Sequence, residues 1–172
     1  MILLLGGARS GKSALAVDLA QRGGAQVRFV ATAQGDDDEM VARITHHRLH
    51  RPENWVTVEA PIDLVPAVRS TPGGDTILID CITLWISQLM VDHDDEEIAA
   101  RVDDLVTALE AHDGEVIVIS NEVGFGLVPM DPVGRRFRDL QGRVNQTLAR
   151  AATDTYLVVA GKTLRLDSDD VV

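Results

Sequence analysis

At 172 residues and 45% hydrophobic content, the chain has the length for one domain, 1–172, with a sizeable core. A formal charge of −11 argues against nucleic acid as a partner, because phosphate-backbone binding needs a Lys/Arg surplus, and 3% aromatics argues against extended base-stacking platforms. A single cysteine, Cys81, excludes an internal disulfide, no basic region precedes the N-terminal apolar run, and no apolar stretch reaches the roughly 20 residues that span a bilayer; a reducing cytoplasm is the simplest compartment.

Short apolar runs alternate with longer segments of helical period, the pattern of β-α units around a mostly parallel sheet. In chain order the spacing predicts a strand over 2–5, a helix over 12–22, a strand over 27–31 and helices over 37–50 and 62–70. "STPGGD", 70–75, reads as a loop leading to a strand over 76–80. Helices over 82–91 and 96–112, a strand over 115–120, a helix over 133–152 and a strand over 155–159 follow. A turn at Gly161-Lys162 leads to an edge strand over 163–166, and "DSDDVV" is an acidic tail.

Between the first strand and the first helix stands "GGARSGKS", 6–13, a complete G-x-x-x-x-G-K-[ST] motif in its proper context. Gly6, Gly7 and Gly11 let backbone N–H groups approach phosphate oxygens, and the following helix N-terminus favours negative charge. Lys12 would reach the β and γ phosphates and Ser13 would ligate magnesium. A carboxylate at the end of a neighbouring strand is then needed for the metal or its waters. "TILID" offers Asp80 and "VIVISNE" offers Glu122, although strand ends commonly carry such groups without function.

The segment 36–59, "DDDEMVARITHHRLHRPENWVTVE", collects three of the five histidines beside several arginines. On a helical wheel Asp36, Glu39, Arg43, His47 and His50 share a stripe, with Val41 and Ile44 turned away. Three readings compete. The stripe is a solvated polar face; or His46 and His50, at i and i+4, share a zinc, against which Arg48 and Arg51 would repel a cation; or a neutral imidazole attacks a nucleotide α-phosphorus and holds the nucleotide as a phosphoramidate. Spacing alone does not choose among them.

With these segments together, the chain resembles the bifunctional adenosylcobinamide kinase / adenosylcobinamide-phosphate guanylyltransferase family of cobalamin biosynthesis. The resemblance spans nearly the whole chain: "GGARSGKS", "ATA" (31–33), "DDEMVARITHHRLHRPENWVTVE" (37–59), "LIDCITLW" (78–85), "SNEVGFGLVP" (120–129), "FRDLQGRVNQTLA" (137–149) and "LVVAG" (157–161). It implies an α/β P-loop NTPase of RecA-like type, with a mostly parallel central sheet flanked by helices, assembled as a homotrimer. It also implies two reactions: phosphorylation of adenosylcobinamide by ATP or GTP, then transfer of GMP from GTP through a guanylyl-histidine, giving adenosyl-GDP-cobinamide and pyrophosphate.

Carried residue by residue, the resemblance assigns His47 as the nucleophile, with His46 as fallback. It implies nucleotide contacts at Gly6, Gly7, Ala8, Arg9, Ser10, Gly11, Lys12 and Ser13, at Ala31, Thr32 and Ala33, and at Arg48, Leu49, His50, Arg51 and Glu59. Asp80 matches an acidic strand-end position, joining Ser13 as a candidate Mg2+ ligand, and Lys12 is the second catalytic candidate. Phe125 stands where the family often has Met. A P-loop kinase with passive histidines and a nucleotide-binding regulatory module are the alternatives.

Overall fold

The computed structural model describes residues 1–34, 41, 45 and 51–166. Its elements are β1 (Ile2–Leu5), α1 (Lys12–Arg22), β2 (Val27–Ala31), β3 (Val56–Glu59), α2 (Leu64–Arg69), β4 (Thr76–Asp80), α3 (Ile82–Asp92), α4 (Asp95–Glu110), β5 (Val116–Ile119), α5 (Pro132–Ala151), β6 (Asp154–Val159) and β7 (Lys162–Leu166). They agree with the expected elements to within two residues at each boundary, with β3 added. Of the expected helix 37–50, only Val41 and Thr45 fall among the described residues; both are helical, and the Thr45 hydroxyl donates to the Val41 carbonyl at 2.8 Å.

The seven strands lie in the order β3-β2-β4-β5-β1-β6-β7, all parallel except β7, which returns antiparallel beside β6. The central strands are apolar throughout because both faces are covered, and their alternation sorts side chains between two cores. Leu3, Ile77, Ile79 and Val118 face the larger core with Leu64 of α2, Trp85 and Ile86 of α3, Leu105 of α4 and Leu148 of α5. Leu4, Leu78, Ile117 and Ile119 face the other way, toward α1, whose Ala16 and Ala20 are fully buried. Small residues at this contact let α1 lie close to the sheet and deliver its N-terminus to the end of β1.

Two helices begin with side-chain caps. Asp94 and Glu97 form a reciprocal capping box at α4, and Asp131 accepts from the Gly134 N–H at α5, where Pro132 takes the first turn. These caps start both helices one residue earlier than their apolar period alone predicts. By contrast α1 starts at Gly11 with no side-chain cap and no acidic residue in its first turn. Its first N–H groups are therefore not engaged by a cap of its own.

Candidate active site

Parallel strands bring their C-terminal ends to one edge. Glu59 of β3 pairs with Ala31 of β2, Ala31 with Asp80 of β4, Asp80 with Ile119 of β5, and Ile119 with Leu4 of β1. One register row thus sets Glu59, Ala31, Asp80 and the start of the "GGARSGKS" loop side by side, the edge at which open α/β sheets bind ligands.

Backbone contacts hold the loop on both flanks. The Glu122 N–H donates to the Gly6 carbonyl at 3.1 Å, and the Gly161 N–H, in the β6-β7 turn, donates to the Ser10 carbonyl at 2.8 Å. Gly6 is buried with φ +152°, and a Cβ there would sit 2.3 Å from the Val158 carbonyl oxygen. Glycine is demanded by this close approach, not by the phosphate alone. Gly6→Ala is expected to cost about 1–3 kcal/mol through overpacking, seen in calorimetry as a midpoint lowered by about 2–4 °C per kcal/mol; an unchanged midpoint would contradict the contact.

Gly7, Ala8 and Arg9 are exposed along the rim, with Arg9 in the left-handed region at φ 57°. Lys12 is only 6% exposed, and its ammonium donates to the Gly6 and Gly7 carbonyls at 2.7 Å each and to Ser10 Oγ at 3.4 Å. Ser13 follows, half-buried in the first turn of α1. Loop, ammonium and uncapped helix start give the positive, donor-rich setting that phosphate groups favour.

Thr32, expected as a nucleotide contact, is fully buried and has its hydroxyl committed elsewhere. It donates to the Cys81 carbonyl and accepts from the Cys81 N–H, both at 2.8 Å, while its own N–H donates to the Asp80 carbonyl at 3.1 Å. Its side chain therefore fixes the turn that presents Asp80. Burial, reinforced by the Asp80 charge, pushes the Cys81 thiol up, so that it stays protonated and a poor nucleophile at neutral pH.

Asp80 is half-buried at the end of β4, but β4 is not the immediate neighbour of β1; β5 intervenes. Glu122, the second candidate, follows β5, the strand beside β1, and its backbone is bonded to Gly6. The Glu122 carboxylate accepts the Gly124 N–H, closing a tight turn beside the loop. Among the described residues no group of three or more His, Cys, Asp or Glu side chains is placed to hold a metal. The oxygens of Ser13 and Asp80 are nevertheless the hard donors Mg2+ prefers, and one or two protein ligands suffice when phosphates and water complete the shell.

Back along β3 from Glu59, the Arg51 guanidinium lies 3.5 Å over the Phe29 ring, and Phe29 stacks with Trp55, which precedes the strand, at 6.4 Å between centroids. Arg51, Trp55, Thr57 and Glu59 line an open recess of about 380 Å3. Arg51 and Glu59, two of the expected nucleotide contacts, both line this recess. His46, His47, Arg48, Leu49 and His50 lie outside the described residues.

Sequence reasoning missed a buried polar cluster behind the site. Ser120 Oγ donates to Asn145 Oδ1 at 2.7 Å, and Gln141 Nε2 donates to Ser120 Oγ and Asn145 Oδ1 at 2.9 Å each. Asn145 Nδ2 donates to the Asn121 carbonyl at 3.0 Å, and the Asn121 N–H donates to Thr83 Oγ1 at 2.7 Å. The cluster pins the chain just before Glu122. Its signal was two polar residues, Gln141 and Asn145, on the helical stripe otherwise made by Leu140, Val144 and Leu148. Asn145→Leu leaves several of these groups unpaired, and urea unfolding is expected to show a loss of about 1–3 kcal/mol per orphaned group; undiminished stability would deny the cluster its role.

The cobinamide kinase / cobinamide phosphate guanyltransferase family matches residues 2–166. The bifunctional adenosylcobalamin biosynthesis protein CobP of Pseudomonas aeruginosa is 39% identical over 168 residues, covering 97% of each chain. The bifunctional adenosylcobalamin biosynthesis proteins CobU of Escherichia coli and Salmonella typhimurium are 40% and 42% identical, each match covering 94% of this chain and 96% of the relative. In fold, an ATPase from the type III secretion system of pathogenic bacteria superposes with a TM-score of 0.53 at 11% identity, over 91% of this chain and 51% of that one. The sheet order, the phosphate cradle and these matches agree: the chain belongs to the cobinamide kinase / cobinamide phosphate guanyltransferase family and is a bifunctional enzyme of adenosylcobalamin biosynthesis.

Proposed function

We propose that one phosphate cradle, formed by residues 6–13, serves both reactions, with Lys12 as its charged donor and His47 as the guanylyl carrier. The observation that carries this reading is the single register row from Glu59 through Asp80 to the loop after β1, which supports a nucleotide lying along one edge. In the kinase step the cradle holds the β and γ phosphates of ATP or GTP while the aminopropanol hydroxyl of adenosylcobinamide attacks the γ-phosphorus. In the transferase step the neutral His47 imidazole attacks the α-phosphorus of GTP; an N–P bond forms and the bond to pyrophosphate breaks. The phosphate of adenosylcobinamide phosphate then attacks the same phosphorus, the N–P bond breaks, and free His47 returns with adenosyl-GDP-cobinamide.

Ser13 and Asp80 would hold Mg2+, which when bound neutralises phosphate charge. Arg51 and Glu59, with the Trp55 ring, suit the nucleoside end: a carboxylate accepts the adjacent N–H groups of guanine and an aromatic wall packs on a flat base. Ala31 and Ala33, small residues at the end of β2 and just beyond it, are taken as nucleotide contacts from the family resemblance. The family resemblance supports assembly as a homotrimer and a cytoplasmic setting, in which Cys81 remains a buried thiol.

The test is incubation with α-labelled GTP and Mg2+ in the absence of corrinoid. Label is expected on the protein and, after adenosylcobinamide phosphate is added, in a product of the mass of adenosyl-GDP-cobinamide. A folded protein that phosphorylates cobinamide but takes no label would leave the kinase alone standing.

A further inference from the structure

Past the end of β5 the chain runs to the cradle, and each N–H on the way has a partner. The Ser120 N–H donates to the Leu4 carbonyl at 3.0 Å, the Asn121 N–H to Thr83 Oγ1 at 2.7 Å and the Glu122 N–H to the Gly6 carbonyl at 3.1 Å. The Asn121 carbonyl accepts from Asn145 Nδ2 at 3.0 Å. Both backbone polar groups of Asn121 are thus taken by side chains, Thr83 in the first turn of α3 and Asn145 on α5, each 6% exposed. The Asn145 amide is itself oriented, because Ser120 Oγ and Gln141 Nε2 both donate to its Oδ1. Four buried polar side chains therefore converge on one stretch of backbone, and the next residue along it is Glu122.

Glu122 is held beside Lys12. The Gly6 carbonyl accepts both the Glu122 N–H and the Lys12 ammonium, which sets the two nitrogens no more than about 6 Å apart. The Oε1 oxygen of Glu122 accepts the Gly124 N–H, and Oε2 has no hydrogen-bond partner among the described residues. The other acidic side chains of this edge, Asp80 and Glu59, end strands two and four places from β1, about 10 and 19 Å away at the usual strand spacing.

We propose that Glu122 takes the proton of the attacking hydroxyl in the kinase step, and that Thr83 and Asn145 are the positioning residues that hold it at the cradle. The inference rests on the reading of residues 6–13 as the phosphoryl-transfer cradle. The aminopropanol oxygen forms its bond to the γ-phosphorus, and the bond from that phosphorus to the β,γ-bridging oxygen breaks. The hydroxyl proton passes to the carboxylate and then to water, and ADP leaves when ATP is the donor. Guanylyl transfer makes no such demand, because its nucleophiles are an imidazole lone pair and an ionised phosphate oxygen. The carboxylate thus serves one of the two reactions that share the cradle.

The experiment compares wild type with Glu122→Gln, Thr83→Val, Thr83→Ser and the double variant Glu122→Gln/Thr83→Val in both reactions. Glutamine keeps an acceptor for the Gly124 N–H and removes the base, while valine keeps the shape of Thr83 and removes the acceptor for the Asn121 N–H. Glu122→Gln is expected to lower kinase kcat about 10²-fold or more, with KM for ATP and labelling by α-labelled GTP without corrinoid each held within about threefold. Thr83→Val is expected to lower kinase kcat about tenfold and Thr83→Ser to stay within about twofold of wild type. The double variant is expected to be no slower than Glu122→Gln alone, since Thr83 acts through the carboxylate.

Wild-type kinase activity in Glu122→Gln overturns the proposal. Equal loss in the two reactions also overturns it, giving the carboxylate to the phosphate site that both use. A double variant about tenfold slower than Glu122→Gln overturns the positioning role and leaves Thr83 to the stability of the fold. Where Thr83→Val yields no folded protein, Asn145→Ser, which removes the donor to the Asn121 carbonyl, takes its place in the same comparison. Kinase activity kept in Lys12→Met overturns the cradle on which the proposal rests, whereas activity lost there and kept in Glu122→Gln overturns the proposal alone.

Discussion

Lys12→Met is expected to lower both cobinamide phosphorylation and guanylyl transfer by about 10²–10³-fold in kcat, the cost of deleting one preorganised donor to developing phosphate charge. The expectation follows from where the ammonium is held. It is almost wholly buried, yet its short bonds go to the Gly6 and Gly7 carbonyls, groups of the cradle itself. A phosphate entering between the loop and α1 meets a cation already at its mouth. Methionine keeps the stem volume and removes the charge, and since a buried charge is expensive to desolvate, the thermal midpoint is expected to stay close to that of wild type. Steady-state assays of the two reactions with calorimetry check this; a loss confined to one reaction would refute a shared cradle.

His47→Ala is expected to split the two activities. Guanylyl transfer should fall by about 10⁴-fold or more, as when a covalent nucleophile is deleted, and the protein should no longer take label from α-labelled GTP. Phosphorylation of adenosylcobinamide, which needs no covalent carrier, should stay within a factor of about three. His46→Ala should leave both. Label lost in His46→Ala and kept in His47→Ala would move the carrier by one residue.

The contrast between the two variants follows from the kinds of evidence behind them. Lys12 was legible from "GGARSGKS" between an apolar run and a helical period, and in the structure the loop around it is held by backbone on both sides. Strands buried on two faces were equally legible, because 2–5, 27–31 and 76–80 are unbroken apolar or nearly apolar runs. β3 escaped notice for the opposite reason. It is an edge strand with Val56, Thr57 and Glu59 exposed, and its brief alternation was absorbed into a segment read for its histidines.

Strand order was not legible either. That β5 stands between β4 and β1 depends on crossovers, which leave no mark in local periodicity, so the neighbour of the cradle strand became known only with the sheet assembled. Thr32 shows a related limit. Composition says that a small hydroxyl lies in a loop after a strand, while the partner that consumes it, Cys81, is 49 residues away. Gln141 and Asn145 could be seen only as exceptions to an apolar stripe, since the groups they satisfy belong to other elements.

The bond from Gly161 to Ser10 has a consequence for how the protein is made. Of the described strands β1 is made before the others, yet its partners are β5 and β6, which begin at Val116 and Asp154. Contacts of such sequence separation form late. A nascent chain therefore carries its phosphate loop unsupported until residue 161 is free of the exit tunnel, and nucleotide binding becomes a sign that synthesis has passed that point.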